Sequence, residues 1–205
     1  MSHNEVATPL DLKPAFGLPD PEGLYHPAFE HDACGMGFIA NIKGVKSNAI
    51  IQDALQILLN LEHRGAVGAD PLAGDGAGIL VQIPHEFFAA EAERIGFTLP
   101  EPGLYGVAHI FLPRDLERRA KCEEIVARVL EGEGLPLLGW RDVPVNRKGL
   151  PDVVLAAEPS HRQLFIGRPA EIPDEATFER RLYLARKVLS NAVIAEFGPK
   201  DINFY

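Results

Sequence analysis

Three short apolar runs, LLGWRDVPV, VVLAA and QLFIG, follow one another between residues 137 and 167 with no helix-length periodic segment between them. Branched or aromatic residues recur in each run, and turn-forming or charged residues bound them, so each is expected as a strand. Long helical segments flank the group on both sides. Strands in direct succession, set between helices, point to layered α/β or α+β packing rather than a simple doubly wound sheet.

The helices are read from the spacing of apolar residues. Ser47 or Asn48 is the expected N-cap of a helix running to about Arg64, with Ile51, Leu55, Leu58 and Glu62 along one stripe and Gly65 just past its end. HEFFAAEAERIG predicts a short helix ending at Gly96. RDLERRAKCEEIVARVLEGEG predicts another, with Cys122, Ile125, Val126, Val129 and Leu130 on one side. The last spans about Asp174 to Phe197 and carries Phe178, Leu182, Ala185, Leu189, Ala192 and Val193 at helical intervals. Further strands are expected at GMGFIANI, which a turn at Lys43-Gly44 follows, at GILVQIP and at LYGVAHIFLP. The final INFY also reads as the start of a strand. An open apolar edge invites pairing, so the sequence is expected to be cut off within a sheet.

With 205 residues, 46% hydrophobic and 24% charged, the chain is long enough to bury a core. Its formal charge of −9 is spread over 29 acids and 20 bases without a long single-sign block. Neither a nucleic-acid footprint nor a basic membrane patch is indicated, and a small molecule or a protein is the expected partner. No apolar stretch reaches the roughly 18 residues of a membrane span, and no apolar secretion signal opens the chain. The two cysteines, Cys34 and Cys122, make neither a disulfide framework nor a metal-binding spacing, which fits a reducing, cytoplasmic setting. Residues 1–33 carry Pro9, Pro14, Pro19, Pro21 and Pro27 and no sustained period, and are read as an irregular leader.

Gly74, Gly76 and Gly78 lie in GADPLAGDGAGIL. A dinucleotide cradle needs a strand before its glycines and a helix after them. Here a helix precedes and a strand follows, with Ile79 where the third glycine would fall. The glycines are better read as a close backbone crossing, where they accept positive φ or let two segments approach, with Asp75 bonding neighbouring amides. His63-Arg64-Gly65 closes a helix, where basic side chains complement the helix dipole. Cys122, on an apolar helix face, reads as a structural thiol. His85, His109 and His161 are scattered, without the i, i+4 pairing of a metal site. Cys34 stands where the leader ends, and reads either as a buried small hydrophobe or as a working nucleophile. In the second case cleavage of the Ala33–Cys34 bond places a thiol and a free α-amine on one residue. The amine, with an ordinary pKa of about 7.7–8.0, can take the proton of a thiol near 8.5 without any histidine.

The blocks GLYHPAFEHDACGMGFIANIKG, LLNLEHRGAVGADPLAGDGAGILVQIPHEFF and LGWRDVPVN, in this order, resemble the opening of the large subunit in the glutamate synthase family. The resemblance covers nearly all of the chain from Gly23 onward. It implies that residues 34–205 are the N-terminal part of a class II glutamine amidotransferase domain. The implied fold is α+β, the four-layer αββα N-terminal nucleophile hydrolase fold, incomplete in this chain. By the same match residues 1–33 are a propeptide, Cys34 is the nucleophile with its freed α-amine as base, and Arg64 lies near it in the glutamine pocket. The implied reaction is hydrolysis of glutamine to glutamate and ammonia through a Cys34 thioester, for glutamate biosynthesis and ammonia assimilation. No cofactor is expected in this chain; FMN and a 3Fe-4S cluster are implied for the complete enzyme, with the rest of the large subunit and a small subunit as partners. The family's carboxylate-binding arginine, oxyanion asparagine–glycine pair and amine-binding aspartate would fall after Tyr205. The chain by itself is therefore expected to be inactive. Amidophosphoribosyltransferase shares the Cys-Gly start and the HRG block but lacks GADPLAGDGAGILVQIPHEFF. The alternative is a shortened, non-catalytic domain that binds a partner through its apolar last strand and acidic surface.

Overall fold

A computed structural model of the chain describes Gly23 and residues 35–65, 72–74 and 76–198. The expected leader, Gly23 apart, and the expected strand INFY lie outside the described residues. The chain divides into two compact units, one of Met1–Gly68 with Gly74–Ile79, the other of Ala69–Ala73 with Leu80–Tyr205.

In the first unit helix α1 spans Asn48–Asn60, and a 3-10 turn spans Glu62–Arg64. Ser47 holds the N-cap position in extended conformation, but its side chain caps no amide. The half-buried face of α1 runs through Ile51, Ala54, Ile57, Leu58 and Leu61. Ile51 and Leu58 of the expected stripe lie on this face, whereas Leu55 is 41% exposed and Glu62 is exposed too. The helix ends earlier than its apolar spacing suggests. The Leu61 N–H is shared between the carbonyls of Ile57 and Leu58 at 3.0 and 3.1 Å, the bifurcated bond that tightens a last turn into 3-10 geometry. Gly65 follows with φ −76°, so the left-handed closure expected there is not used.

No strand forms at GMGFIANI or GILVQIP among the described residues. Met36, Phe38, Ile42 and Leu80 are 93%, 93%, 103% and 101% exposed. A strand satisfies its backbone through a neighbour's ladder, and no described segment supplies one to these two runs. The turn between GMGFIANI and α1 does form. The Gly44 N–H donates to the Asn41 carbonyl at 2.9 Å, and the Lys43 N–H to Asn41 Oδ1 at 2.9 Å.

The second unit carries helix α2, His85–Ile95, strand β1, Tyr105–Leu112, and helix α3, Leu116–Gly132. They are followed by strand β2, Leu137–Asp142, helix α4, Asp152–Ala157, strand β3, Ser160–Gly167, and helix α5, Glu175–Phe197. The helix ends follow the expected chemistry. Asp115 accepts from the Arg118 N–H and Asp174 from the Thr177 N–H, which caps α3 and α5. Gly96 takes φ +98° and closes α2, with the Phe97 N–H reaching back to the Ala92 carbonyl at 2.9 Å.

VVLAA is a helix rather than a strand. Local bonding overrides its branched residues: the N–H groups of Val154 and Leu155 donate to the Pro151 carbonyl, and Arg114 Nη1 donates to the Leu155 carbonyl at 2.7 Å. The succession of strands is therefore two, not three. β1 and β2 each pair antiparallel with β3, giving the order β1-β3-β2 and α+β content with a small antiparallel sheet. β1-α3-β2 is thus a βαβ unit split by the insertion of β3.

The period-2 alternation of β1 and β3 sorts the core onto two faces. Ile110, Leu112, Leu164 and Ile166 pack against Cys122, Ile125, Val126 and Leu130 of α3 and Phe178, Ala185, Leu189 and Val193 of α5. On the opposite face Tyr105 and Phe165 pack against Phe88 and Ala92 of α2, with the Phe88 and Phe165 rings edge to face at 5.1 Å. Among the described residues no helix is long and apolar enough to cross a membrane.

Two outcomes follow from this packing. Phe165 is 1% exposed, and Phe165→Ala is expected to lower unfolding free energy by about 3–5 kcal/mol in chemical denaturation. Hydrogen bonds from Arg94 and then Arg141 hold the Glu91 carboxyl down at about 2, from an ordinary 4.5. A depressed carboxyl contributes stability that is complete above its unfolded value and lost as pH falls toward its folded one. Between about pH 5 and pH 2.5 the melting temperature of Glu91→Gln should therefore fall less steeply than that of the parent chain; equal slopes would refute the assignment.

Candidate active site

The expected nucleophile, Cys34, lies outside the described residues, as does Asp75. Its sequence neighbours are described. Residues 35–38 run beside α1 with glycine on the helix side, while Met36 and Phe38 are each 93% exposed. A Cβ built on Gly35 would stand 3.1 Å from Arg64 Cβ, 3.3 Å from Arg64 Cγ and 3.3 Å from Leu61 Cδ2. One built on Gly37 would stand 2.5 Å from Ile57 Cγ2, well inside van der Waals contact. A side chain at Gly37 would have to displace Ile57 or the segment itself, while one at Gly35 would need Arg64 or Leu61 to give by a few tenths of an ångström. The glycines of CGMG thus serve close approach, a role that reading GMGFIANI as an ordinary strand misses.

Arg64 itself is exposed in the 3-10 turn, where its N–H donates to the Leu61 carbonyl at 2.8 Å. His63 and Arg64 close that short turn and not the last turn of α1, so their complement to the α1 dipole is smaller than the sequence suggests. In the glycine loop Gly76 takes φ +87°, as a positive-φ position should. Among the described residues a Cβ on Gly76 or Gly78 would meet nothing within 4 Å, so the close crossing expected there is not seen.

The remaining candidates are placed away from a working role. Cys122 is fully buried in α3, and that burial pushes its thiol above the ordinary value, with Arg118 opposing in part. A thiol so placed is a packing group. His85 Nδ1 and the Tyr105 hydroxyl are 3.1 Å apart. The histidines are less scattered than their numbering suggests. Antiparallel register sets Phe111 opposite His161, and the His109 and His161 rings lie 5.8 Å apart. Burial, then the His161 ring, pushes His109 below its ordinary value. The pair gathers no third ligand: among the described residues no three His, Cys, Asp or Glu side chains could hold a metal. A hollow of about 620 Å³ beside His161 is lined by Val145, Leu150, Val153, Val154 and Glu158. The Glu158 carboxylate there is already engaged, accepting from Arg147 Nε at 2.7 Å.

The sequence profile described as "Glutamine amidotransferases class-II" matches residues 34–205, a span that begins at Cys34. The chain belongs to that family. Its relatives include the glutamate synthase (NADPH) large chain of Bacillus subtilis, 44% identical over 188 residues, which are 92% of this chain and 12% of that protein. The glutamate synthase (NADH) of Saccharomyces cerevisiae is 42% identical over 183 residues, 84% of this chain and 8% of that one. Ferredoxin-dependent glutamate synthase 1 of Arabidopsis thaliana, chloroplastic/mitochondrial, is 33% identical over 204 residues, 100% of this chain and 12% of that one. The chain spans about a tenth of the length of these relatives.

The burial of Cys122 sets its expected reactivity. In the native chain Cys122 is expected to resist iodoacetamide until the second unit unfolds. Its alkylation at the rate of a free thiol under native conditions, read by peptide mass spectrometry, would contradict the packing described.

Proposed function

We propose that this chain supplies the nucleophile of a glutaminase within a glutamate synthase. Cys34 becomes the first residue when residues 1–33 are removed, and its freed α-amine takes the thiol proton. The thiolate attacks the side-chain amide carbon of glutamine, the C–N bond breaks, and the protonated nitrogen leaves as ammonia. Water then cleaves the γ-glutamyl thioester, releasing glutamate and restoring the thiol. The observation that carries the reading is the family match beginning at Cys34, in a chain whose next residue rests on Arg64. Arg64 orients that end of the glutamine pocket.

Around this chemistry we place the four-layer αββα arrangement, a cytoplasmic setting, and the rest of a large subunit with a small subunit as partners. The exposed Met36, Phe38, Ile42 and Leu80 suit burial against such partner segments. FMN and a 3Fe-4S cluster belong, on this reading, to the larger enzyme. The residues of this chain do not fit the cluster, which cysteine thiolates hold: there are two cysteines, and Cys122 is sealed in the core.

In the protein isolated from its own cells, intact-mass analysis should show loss of residues 1–33, and a glutamine analogue with an electrophilic γ-carbon should label Cys34. Retention of those residues, together with unimpaired glutamine hydrolysis by Cys34→Ala, would overturn the proposal. The 205-residue chain alone is expected to release ammonia at least about 10²-fold more slowly than a polypeptide that also carries the oxyanion donors, since one such donor is worth about 10²–10³ in rate.

A further inference from the structure

Helix α5 is apolar on two faces. Phe178, Ala185, Leu189 and Val193 pack inward. On the opposite side Tyr183, Leu184, Val188 and Ile194 are all exposed, the first two at 55% and 51%. Helix α3, which covers the same face of the sheet, instead turns Glu117, Glu124, Arg128 and Glu131 to solvent, as a surface helix does. A helix apolar all round belongs in an interior. The outer face of α5 also has relief. Residues four apart line up along a helix, so Glu179, Tyr183 and Lys187 make one ridge and Arg180, Leu184 and Val188 the next. Between the ridges lies a shallow hollow of about 410 Å³, lined by Glu179, Arg180, Tyr183 and Leu184. A groove of this kind takes the corresponding ridge of a second helix.

Charge narrows the choice of occupant. Arg186 and Lys187 lie over the Tyr183 ring, 5.5 and 5.8 Å from its centre. Among the described residues no carboxylate forms an ion pair with either cation. A wholly apolar occupant would strip water from them and leave them unpaired, which is costly. A second copy would set Arg180, Arg186 and Lys187 against the same cations, and like charges repel. We propose that the outer face of α5 is a docking surface for an amphipathic helix from outside these 205 residues, with an apolar ridge in the groove and carboxylates against Arg186 and Lys187. Tyr183 keeps both cations beside the groove, so such a helix can cover the ring and pair the charges together. The inference goes beyond the glutaminase reading and stands without it.

The test uses the protein isolated from its own cells, in the assembly it forms there. Carbodiimide joins an amine to a carboxylate in contact with it, and Lys187 is the only lysine of α5. Peptide mass spectrometry should find Lys187 joined to an aspartate or glutamate outside residues 1–205. Acetylation of Lys187 should run about tenfold more slowly in that assembly than in the 205-residue chain alone, because reaction follows the population left open. Leu184→Asp should restore the rate of the chain alone and abolish the cross-link. Val153→Asp, which places the same charge on the exposed side of α4, should change neither readout. Far-UV circular dichroism and the protection of Cys122 report whether a variant is folded. Should Leu184→Asp fail to fold, Arg186→Glu decides, since it sets a carboxylate against those of the occupant and should likewise restore the rate. Equal acetylation of Lys187 in the assembly and in the chain alone would overturn the proposal. So would cross-links from Lys187 confined to carboxylates within residues 1–205, of its own or a second copy.

Discussion

The second unit depends on β3 being paired on both edges and packed on both faces. It comes last of the three strands in sequence yet occupies the middle of the sheet, with β1 on one edge and β2 on the other. Its alternate residues serve opposite cores, Leu164 and Ile166 toward α3 and α5, Phe165 toward α2. A one-residue slip would exchange those sets and drive the large Phe165 ring into the helix pair. Antiparallel ladders on both edges hold the register, and a central strand has no open edge to satisfy elsewhere.

The same centrality gathers the polar groups. Arg141 on β2 is buried at 8% exposure, and it is tolerated because Glu91 of α2 accepts from its Nε and Gln163 of β3 from its Nη1. Near the other face Arg162 of β3 donates to Glu123 of α3 and lies over the Trp140 ring at 4.8 Å. Each cation joins a helix to the sheet. Such bonds add orientation to layers that apolar burial alone would leave free to rotate.

How much of this was legible varies with how local each signal is. α3 and α5 could be read because apolar stripe and length agree within one segment, and the structure adds Asp115 and Asp174 as their caps. VVLAA misled because branched residues favour a strand only where a neighbouring strand receives them; Pro151 and Arg114 give its backbone a helical alternative. GMGFIANI and GILVQIP carry strand composition without a described ladder, so composition outran pairing. The meeting of His109 with His161 was invisible before the register of β1 on β3 was known. The amidotransferase assignment needed none of these details, because the sequence blocks around Cys34 carry it.

The stretch after Cys34 shows why a motif and its physical reason are separate questions. A cysteine followed by glycine can be recognised by resemblance, but resemblance is silent on why glycine is required. Positive φ is not the reason at Gly35 or Gly37, since the described glycines with positive φ lie elsewhere in the chain. The requirement is spatial: Ile57 and Arg64 occupy the volume a side chain would take. Backbone packed directly on a helix cannot slide without carrying a peptide bond over a branched side chain. Residues 35–37, packed on α1 in this way, inherit the rigidity of the helix, a physical consequence that the sequence motif alone does not state.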